Sequence, residues 1–252
     1  MSDAALFDTL LRLGDTSLVL GHRLSEWCGH APDLEEDVAL ANIALDLVGH
    51  ARLLLSYAGE VEGRGRDEDA LAFLRDAADY RNHPLVEQPN RDFGHTIARQ
   101  FLHDAWALEL YGRLTESTDG RLAGIAAKAL KETRYHLRHS AGWVVRLGDG
   151  TAESRARMAD AFDRLWRFTG GMFAADAADR ALAAAGVAPD PASLRPAWEE
   201  RVDAVLAEAT LPARPATAGM GGGMGGGGRT EHLGYLLAEM QFLQRAYPGA
   251  AW

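Results

Sequence analysis

The chain has 252 residues, of which 47% are hydrophobic and 25% charged, the balance of an ordinary globular protein. This excludes wholesale disorder and a fibrous repeat, and the length suits one large domain or two small ones. The net charge of −10 disfavours a nucleic-acid partner, which selects a basic surface. Cys28 is the single cysteine, so neither a disulfide nor a cysteine-rich zinc site forms within one chain.

The hydropathy pattern gives no sign of a membrane segment. No apolar run approaches the ~20 residues of a membrane span. The N-terminal residues lack the basic segment and the cleavage site of a signal peptide. We therefore expect a cytoplasmic protein that does not interact with a membrane.

Helical periodicity dominates the first part of the chain. A stripe of leucines predicts one long helix that ends at Gly29. A second helix is predicted to begin at Asp33, with Glu36 completing a capping box, and to end at Gly63. Its predicted inward stripe consists of Val38, Ala41, Leu45, Val48, Arg52 and Leu55.

The remaining elements are also helices, and no convincing strand is found. A short helix at 68–77 and a proline-containing loop at 81–91 precede two long helices at 92–118 and 121–147. Shorter helices are predicted at 151–169, 175–185, 193–209 and 230–245. Residues 210–228, which end in a glycine run at 219–228, predict a flexible linker. Four long helices indicate an all-α four-helix bundle with additional shorter helices, formed as a single domain over 1–252.

A four-helix bundle can hold two metal ions in its core, which requires acids and Glu-x-x-His motifs on facing helices. The sequence contains no Glu-x-x-His motif. Acid and histidine occur instead at i, i+4, as in Asp46/His50 and Glu132/His136, and two of the four helical acids are shortened to aspartate. The candidate positions of a degenerate metal site are Glu26, Asp46, Asp104, Glu132 and His136. Each of these acids also has an ordinary interpretation as a solvated or paired helix residue.

Lys128 argues against a metal site on the fourth long helix. It lies four residues before Glu132, which lies four before His136, so the three side chains share one helix face. An ammonium group on that face would repel a metal ion. We therefore expect Lys128 to be an internal counter-cation for the acids, with a surface i, i+4 ion pair to Glu132 as the alternative.

Several long segments resemble one known family. The segments EWCGHAPDLEEDVALANIALDLVGHAR, LVEQPNRDFGHTIARQF, KETRYHLRHSAGWVVRLGDGT and TEHLGYLLAEMQFLQRAYPGAAW resemble the C subunits of bacterial ring 1,2-phenylacetyl-CoA epoxidases, which are multicomponent monooxygenases. The resemblance runs nearly end to end and departs only at the glycine run. It implies a ferritin-like fold and a structural role beside a homologous catalytic A subunit.

The same resemblance implies where the cofactors lie. The di-iron centre belongs to the A subunit, and electrons from NADPH arrive through a separate reductase subunit, so this chain is expected to hold no metal or cofactor. Two alternatives remain open: a self-sufficient di-iron oxidase or oxygenase that uses the five candidate positions, and a ferritin-like storage protein.

Overall fold

The computed structural model describes residues 3–215 and 229–250, and in these ranges it contains helices and no β-strand. The α-helices are α1 (Asp3–Ser25), α2 (Leu34–Glu62), α3 (Glu68–Phe73), α4 (Phe93–Leu114), α5 (Gly120–Gly148), α6 (Ala152–Trp166), α7 (Ala177–Ala184), α8 (Arg195–Glu208), α9 (Glu231–Met240) and α10 (Phe242–Ala246). Short 3-10 helices occur at Ala77–Asp79, Pro84–Glu87, Gly170–Phe173 and Pro191–Leu194. The predicted all-α class is confirmed.

The described residues form two compact units. Residues 3–87 and 229–250 make the N-terminal unit, and residues 88–215 make the central unit. The four long helices occur as two packed pairs, α1 with α2 in the N-terminal unit and α4 with α5 in the central unit. Of the predicted linker at 210–228, residues 216–228 lie outside the described residues, and so does the whole glycine run.

Helix boundaries follow local capping chemistry. The Asp33 carboxylate accepts a hydrogen bond from the backbone N–H of Glu36 at 2.9 Å, which caps α2, and Asp92 caps α4 in the same way. Gly63 ends α2 with a left-handed φ of 67°, a conformation that glycine adopts without the strain a Cβ would cause. These predicted boundaries are confirmed.

The predicted inward stripe of α2 is wrong. Val38, Leu45 and Val48 are exposed, at 52%, 69% and 38%, whereas Leu55 is buried. The buried side, one position away, carries Leu40, Ala44, Leu47, Ala51, Leu54 and Ala58. Both sets recur at spacings of three and four, because α2 is apolar on two sides. Periodicity alone therefore could not choose the side that packs against α1.

The last predicted helix is divided at Gln241 into α9 and α10. The buried Gln241 side-chain amide donates to the carbonyls of Ala72 and Arg75 at 2.9 and 3.0 Å. The Arg245 guanidinium donates to the carbonyl of Phe73 at 3.0 Å. These bonds attach the C-terminal helices to the end of α3 and to Arg75 just after it, so both ends of the chain contribute to the N-terminal unit.

By length and composition, α2 is the one described helix that could cross a membrane. It packs against α1 within the N-terminal unit and carries Asp46 and Arg52 in its middle. A helix that buries one side in a folded core can have this length and apolar composition without spanning a bilayer.

Candidate functional site

The candidate metal positions are distributed over both units. Glu26 and Asp46 belong to the N-terminal unit, and Asp104, Glu132 and His136 to the central unit. A metal site would bring their donor atoms toward a common point with free lone pairs. Three of the five, Glu26, Asp104 and Glu132, have protein partners that the structure identifies.

Neither acid of the N-terminal unit is deeply buried. Glu26 follows the end of α1, its side chain is 39% exposed, and it accepts a hydrogen bond from Arg23 Nη1 at 2.7 Å. Asp46 lies half-buried on α2. The Glu26 carboxylate is therefore at the surface, whereas the Arg23 guanidinium that holds it is buried.

Asp104 is the deeply buried acid among the five positions. It lies on α4 with 1% of its surface exposed. Gln100 Nε2 donates to one carboxyl oxygen at 2.7 Å, and Ser140 Oγ of α5 donates to the other at 2.8 Å. Burial raises the pKa of Asp104 to about 8, against the opposing effect of the two hydrogen bonds. The carboxyl group is therefore mostly protonated and uncharged at neutral pH. In that form its O–H donates to the Ser140 hydroxyl, which in turn can donate to the Leu137 carbonyl 3.4 Å away.

The expectation that Lys128 is an internal counter-cation is wrong for the described structure. Lys128 Nζ lies 3.3 Å from Glu132 Oε1, and the two side chains are 54% and 23% exposed. The pair follows the i, i+4 geometry of a helix surface, where the ammonium stays hydrated. Asp104 is neutralised by a proton rather than by this lysine. The ordinary alternative, a surface ion pair, is the arrangement found.

His136 is buried on α5, one helical turn before Ser140. His50, the partner of Asp46 in the i, i+4 pattern, is also buried, on α2. Both histidines are therefore core residues of their own helices.

The residues present do not fit a di-iron centre. Both Asp104 oxygens are hydrogen-bonded to protein side chains, and Glu26 and Glu132 are held by cations. In the described part of either unit, no three His, Cys, Asp or Glu side chains are grouped so that they could hold a metal ion. Bridging carboxylates need lone pairs directed at the metals, and these oxygens are directed at protein donors.

A buried ion pair in the N-terminal unit was missed at the sequence level. Asp15 on α1 is fully buried and pairs with the Arg75 guanidinium through both carboxylate oxygens, one of them 3.0 Å from Nη1. The backbone N–H of Arg81 donates to the same carboxylate at 2.8 Å. Burial raises the pKa of Asp15, while Arg75 acts in the opposite direction. The sequence feature that could have indicated this ion pair is Asp15 itself, an aspartate among the leucines that predict the first helix.

Glu87 was missed because its segment was interpreted as a loop. It is fully buried and accepts hydrogen bonds from Asn82 Nδ2 at 2.8 Å and from the N–H and hydroxyl of Thr230 at 2.6 and 2.7 Å. Its carbonyl accepts a hydrogen bond from Arg23 Nη2 at 2.7 Å. Glu87 therefore joins α1 to the start of α9. Its role is structural, since its oxygens are directed at backbone and side-chain donors.

The family follows from comparison with known proteins. The model of the family described as phenylacetic acid catabolic protein matches residues 1–252, so the chain belongs to this family. The predicted ferritin-like class is confirmed with it. The chain is 57% identical to the C subunit of the 1,2-phenylacetyl-CoA epoxidase of Escherichia coli (strain K12), over 96% of this chain and 97% of that protein. The resemblance inferred from the sequence segments is therefore confirmed, and the chain has a role in phenylacetate catabolism.

Proposed function

We propose that the chain is the non-catalytic structural subunit of a multicomponent di-iron monooxygenase that epoxidises the ring of phenylacetyl-CoA in aerobic phenylacetate degradation. The non-catalytic part of this proposal is supported by one observation. Both oxygens of Asp104, the buried acid among the candidate positions, are hydrogen-bonded to Gln100 and Ser140. The likeness to a protein named as one subunit of an epoxidase supports the place in a larger assembly.

In this role the chain binds and stabilises a catalytic A subunit, which holds the di-iron centre. Electrons from NADPH reach that centre through a separate reductase subunit. The chain itself binds no metal and no cofactor, acts in the cytoplasm, and contacts neither nucleic acid nor membrane. Its own residues contribute a rigid helical framework rather than a reacting group.

Reconstitution tests the proposal. The chain and the catalytic subunit are purified separately, mixed with the other components, and assayed for epoxidation of phenylacetyl-CoA. We expect no turnover by the chain alone, a stable complex on size exclusion, and turnover only with the catalytic subunit. If the two subunits elute separately and the catalytic subunit is fully active and stable alone, the structural role is refuted.

A variant separates the structural role from a self-sufficient oxidase. Glu132 is a metal ligand in the oxidase alternative, yet it is partly exposed, so Glu132→Gln leaves the fold intact. We expect turnover of the reconstituted complex to stay within about 2-fold of the unmodified value. A loss of more than about 100-fold, the size expected for an essential group, would show that this chain takes part in the chemistry.

A further inference from the structure

Exposed apolar side chains are concentrated on the N-terminal unit. Among the described residues, every exposed large hydrophobic side chain except Tyr135 belongs to that unit. Single exposed hydrophobic residues are common on any protein. A contiguous apolar patch is instead typical of a surface that another macromolecule covers.

Part of this set forms a regular stripe along α2. The outer stripe, as we name it, consists of Leu34, Val38, Ala41, Leu45 and Val48, and Leu34 and Leu45 are 76% and 69% exposed. The spacings of four, three, four and three residues keep these positions on one side of the helix. The neighbouring side, one position away, packs in the core of the N-terminal unit, and Val48 at the end of the stripe borders α1 near Gly21. The outer stripe thus has the pattern of a helix face that packs against a second helix.

A cavity of about 320 Å³ adjoins the end of the outer stripe. Its apolar walls come from Leu18 of α1, from Val48, Ala51 and Leu55 of α2, and from Ala72 and Phe73 of α3. The charged residues Arg52, Glu68 and Asp69 line the rest of the cavity, and Arg52 pairs with Glu68. The two alanines leave the space that larger side chains would fill. Pockets of this kind receive the central aromatic or aliphatic side chain of a partner in protein interfaces.

The charges beside the outer stripe narrow the choice of partner. Between Leu34 and His50 the helix carries four acids and no lysine or arginine. Anionic lipid headgroups would be repelled by this segment. Two copies packed antiparallel about Ala41 would set Asp46 of one against Glu36 and Asp37 of the other, which are like charges. A different protein with basic residues beside an apolar helix face fits better.

We infer that the outer stripe and its adjoining cavity form the surface that receives the catalytic subunit. The inference rests on the proposed function and adds the location and chemistry of the contact. The partner contributes an apolar helix face with basic residues opposite the first half of α2. One large apolar side chain of the partner fills the cavity beside Val48.

Affinity measurements test the surface. The dissociation constant between the purified chain and the purified catalytic subunit is measured by calorimetry for the unmodified chain and for Leu45→Glu and Val48→Glu. A buried carboxylate without a partner is costly, so we expect each variant to bind at least about 30-fold more weakly. Tyr135→Glu makes the same change at an exposed apolar position of the central unit and should change affinity by less than about 3-fold.

Folding is checked by circular dichroism and urea midpoint, and Leu45→Gln serves as a milder variant. If the unmodified chain binds and the α2 variants bind equally well, this inference is overturned while the proposed function stands. If the unmodified chain does not bind the catalytic subunit, the proposed function itself fails. Two other outcomes are that the chain self-associates and Leu45→Glu makes it monomeric, or that it binds anionic vesicles and Leu45→Glu releases it. Either result would give the surface another occupant and overturn the inference.

Discussion

The buried carboxyl of Asp104 gives the chain a distinct pH dependence of stability. Its pKa is about 8 in the folded chain against an ordinary value of 3.8. Between these values the folded state holds a proton that the unfolded state has lost. The free energy of unfolding therefore falls with rising pH, by about 1.4 kcal/mol per pH unit from this group. The loss is complete once the pH exceeds the folded pKa.

Replacing Asp104 with asparagine removes this dependence. The side-chain amide has nearly the same shape, still accepts a hydrogen bond, and cannot ionise. Gln100 Nε2 keeps an acceptor, and the Ser140 hydroxyl can rotate to accept from the new amide. The difference in unfolding free energy between variant and unmodified chain should grow in favour of Asp104→Asn from pH 4 to pH 8. The full change is on the order of 5 kcal/mol.

The assay is urea denaturation followed by circular dichroism at pH values from 4 to 9, with linear extrapolation to water. Glu132→Gln is the matched control, because it removes an acid of α5 whose side chain is partly exposed. We expect parallel pH curves for the control and the unmodified chain. Parallel curves for Asp104→Asn as well would show that the buried carboxyl of Asp104 is not neutral in the folded chain.

Three further substitutions have clear expected outcomes in the same denaturation assay. Arg75→Met leaves the buried Asp15 carboxylate without its guanidinium and should cost about 3–5 kcal/mol, part of which the added change Asp15→Asn restores. Lys128→Met removes a partly exposed ion pair and should change stability by no more than about 0.5 kcal/mol. Glu87→Ala removes the acceptor for two hydrogen bonds from Thr230, so it should cost about 1–3 kcal/mol and speed proteolysis at Arg229 and Arg245.

Each of these results can go against the structure. Full stability of Arg75→Met would mean that the ion pair with Asp15 is not formed in solution. If Lys128→Met lowers the free energy of unfolding by several kcal/mol, Lys128 is an internal counter-cation after all, contrary to the described structure. Unchanged proteolysis of Glu87→Ala would show that the C-terminal helices are held by other contacts, such as those of Gln241.

Local chemistry made much of the fold predictable. Asp33, Asp92 and Gly63 mark helix ends because their side chains or backbone freedom act on the neighbouring residues alone. The side of α2 that packs against α1 was not predictable in this way. Leu40 and Leu45 both belong to stripes with helical spacing, and the choice between them depends on a partner helix that periodicity does not identify.

The surroundings of the candidate positions could not be predicted from the sequence. The sequence lacks the Glu-x-x-His motif of the usual di-iron pattern, and the absence of a metal in this chain stays a prediction. Lys128 and Glu132 have the same i, i+4 spacing whether the pair is buried or exposed, so the sequence could not decide between the two. The proton on Asp104 depends on its burial, which the packing of α4 and α5 determines.

We propose that this chain supports catalysis without holding the metal. Elemental analysis of iron in the chain, purified alone after expression in iron-rich medium and again after separation from the assembled enzyme, tests it most directly. We expect less than about one iron per ten chains in both samples, with the iron of the assembly recovered in the catalytic subunit. About two irons per chain, as in a di-iron bundle, together with epoxidation by the chain alone, would contradict the claim.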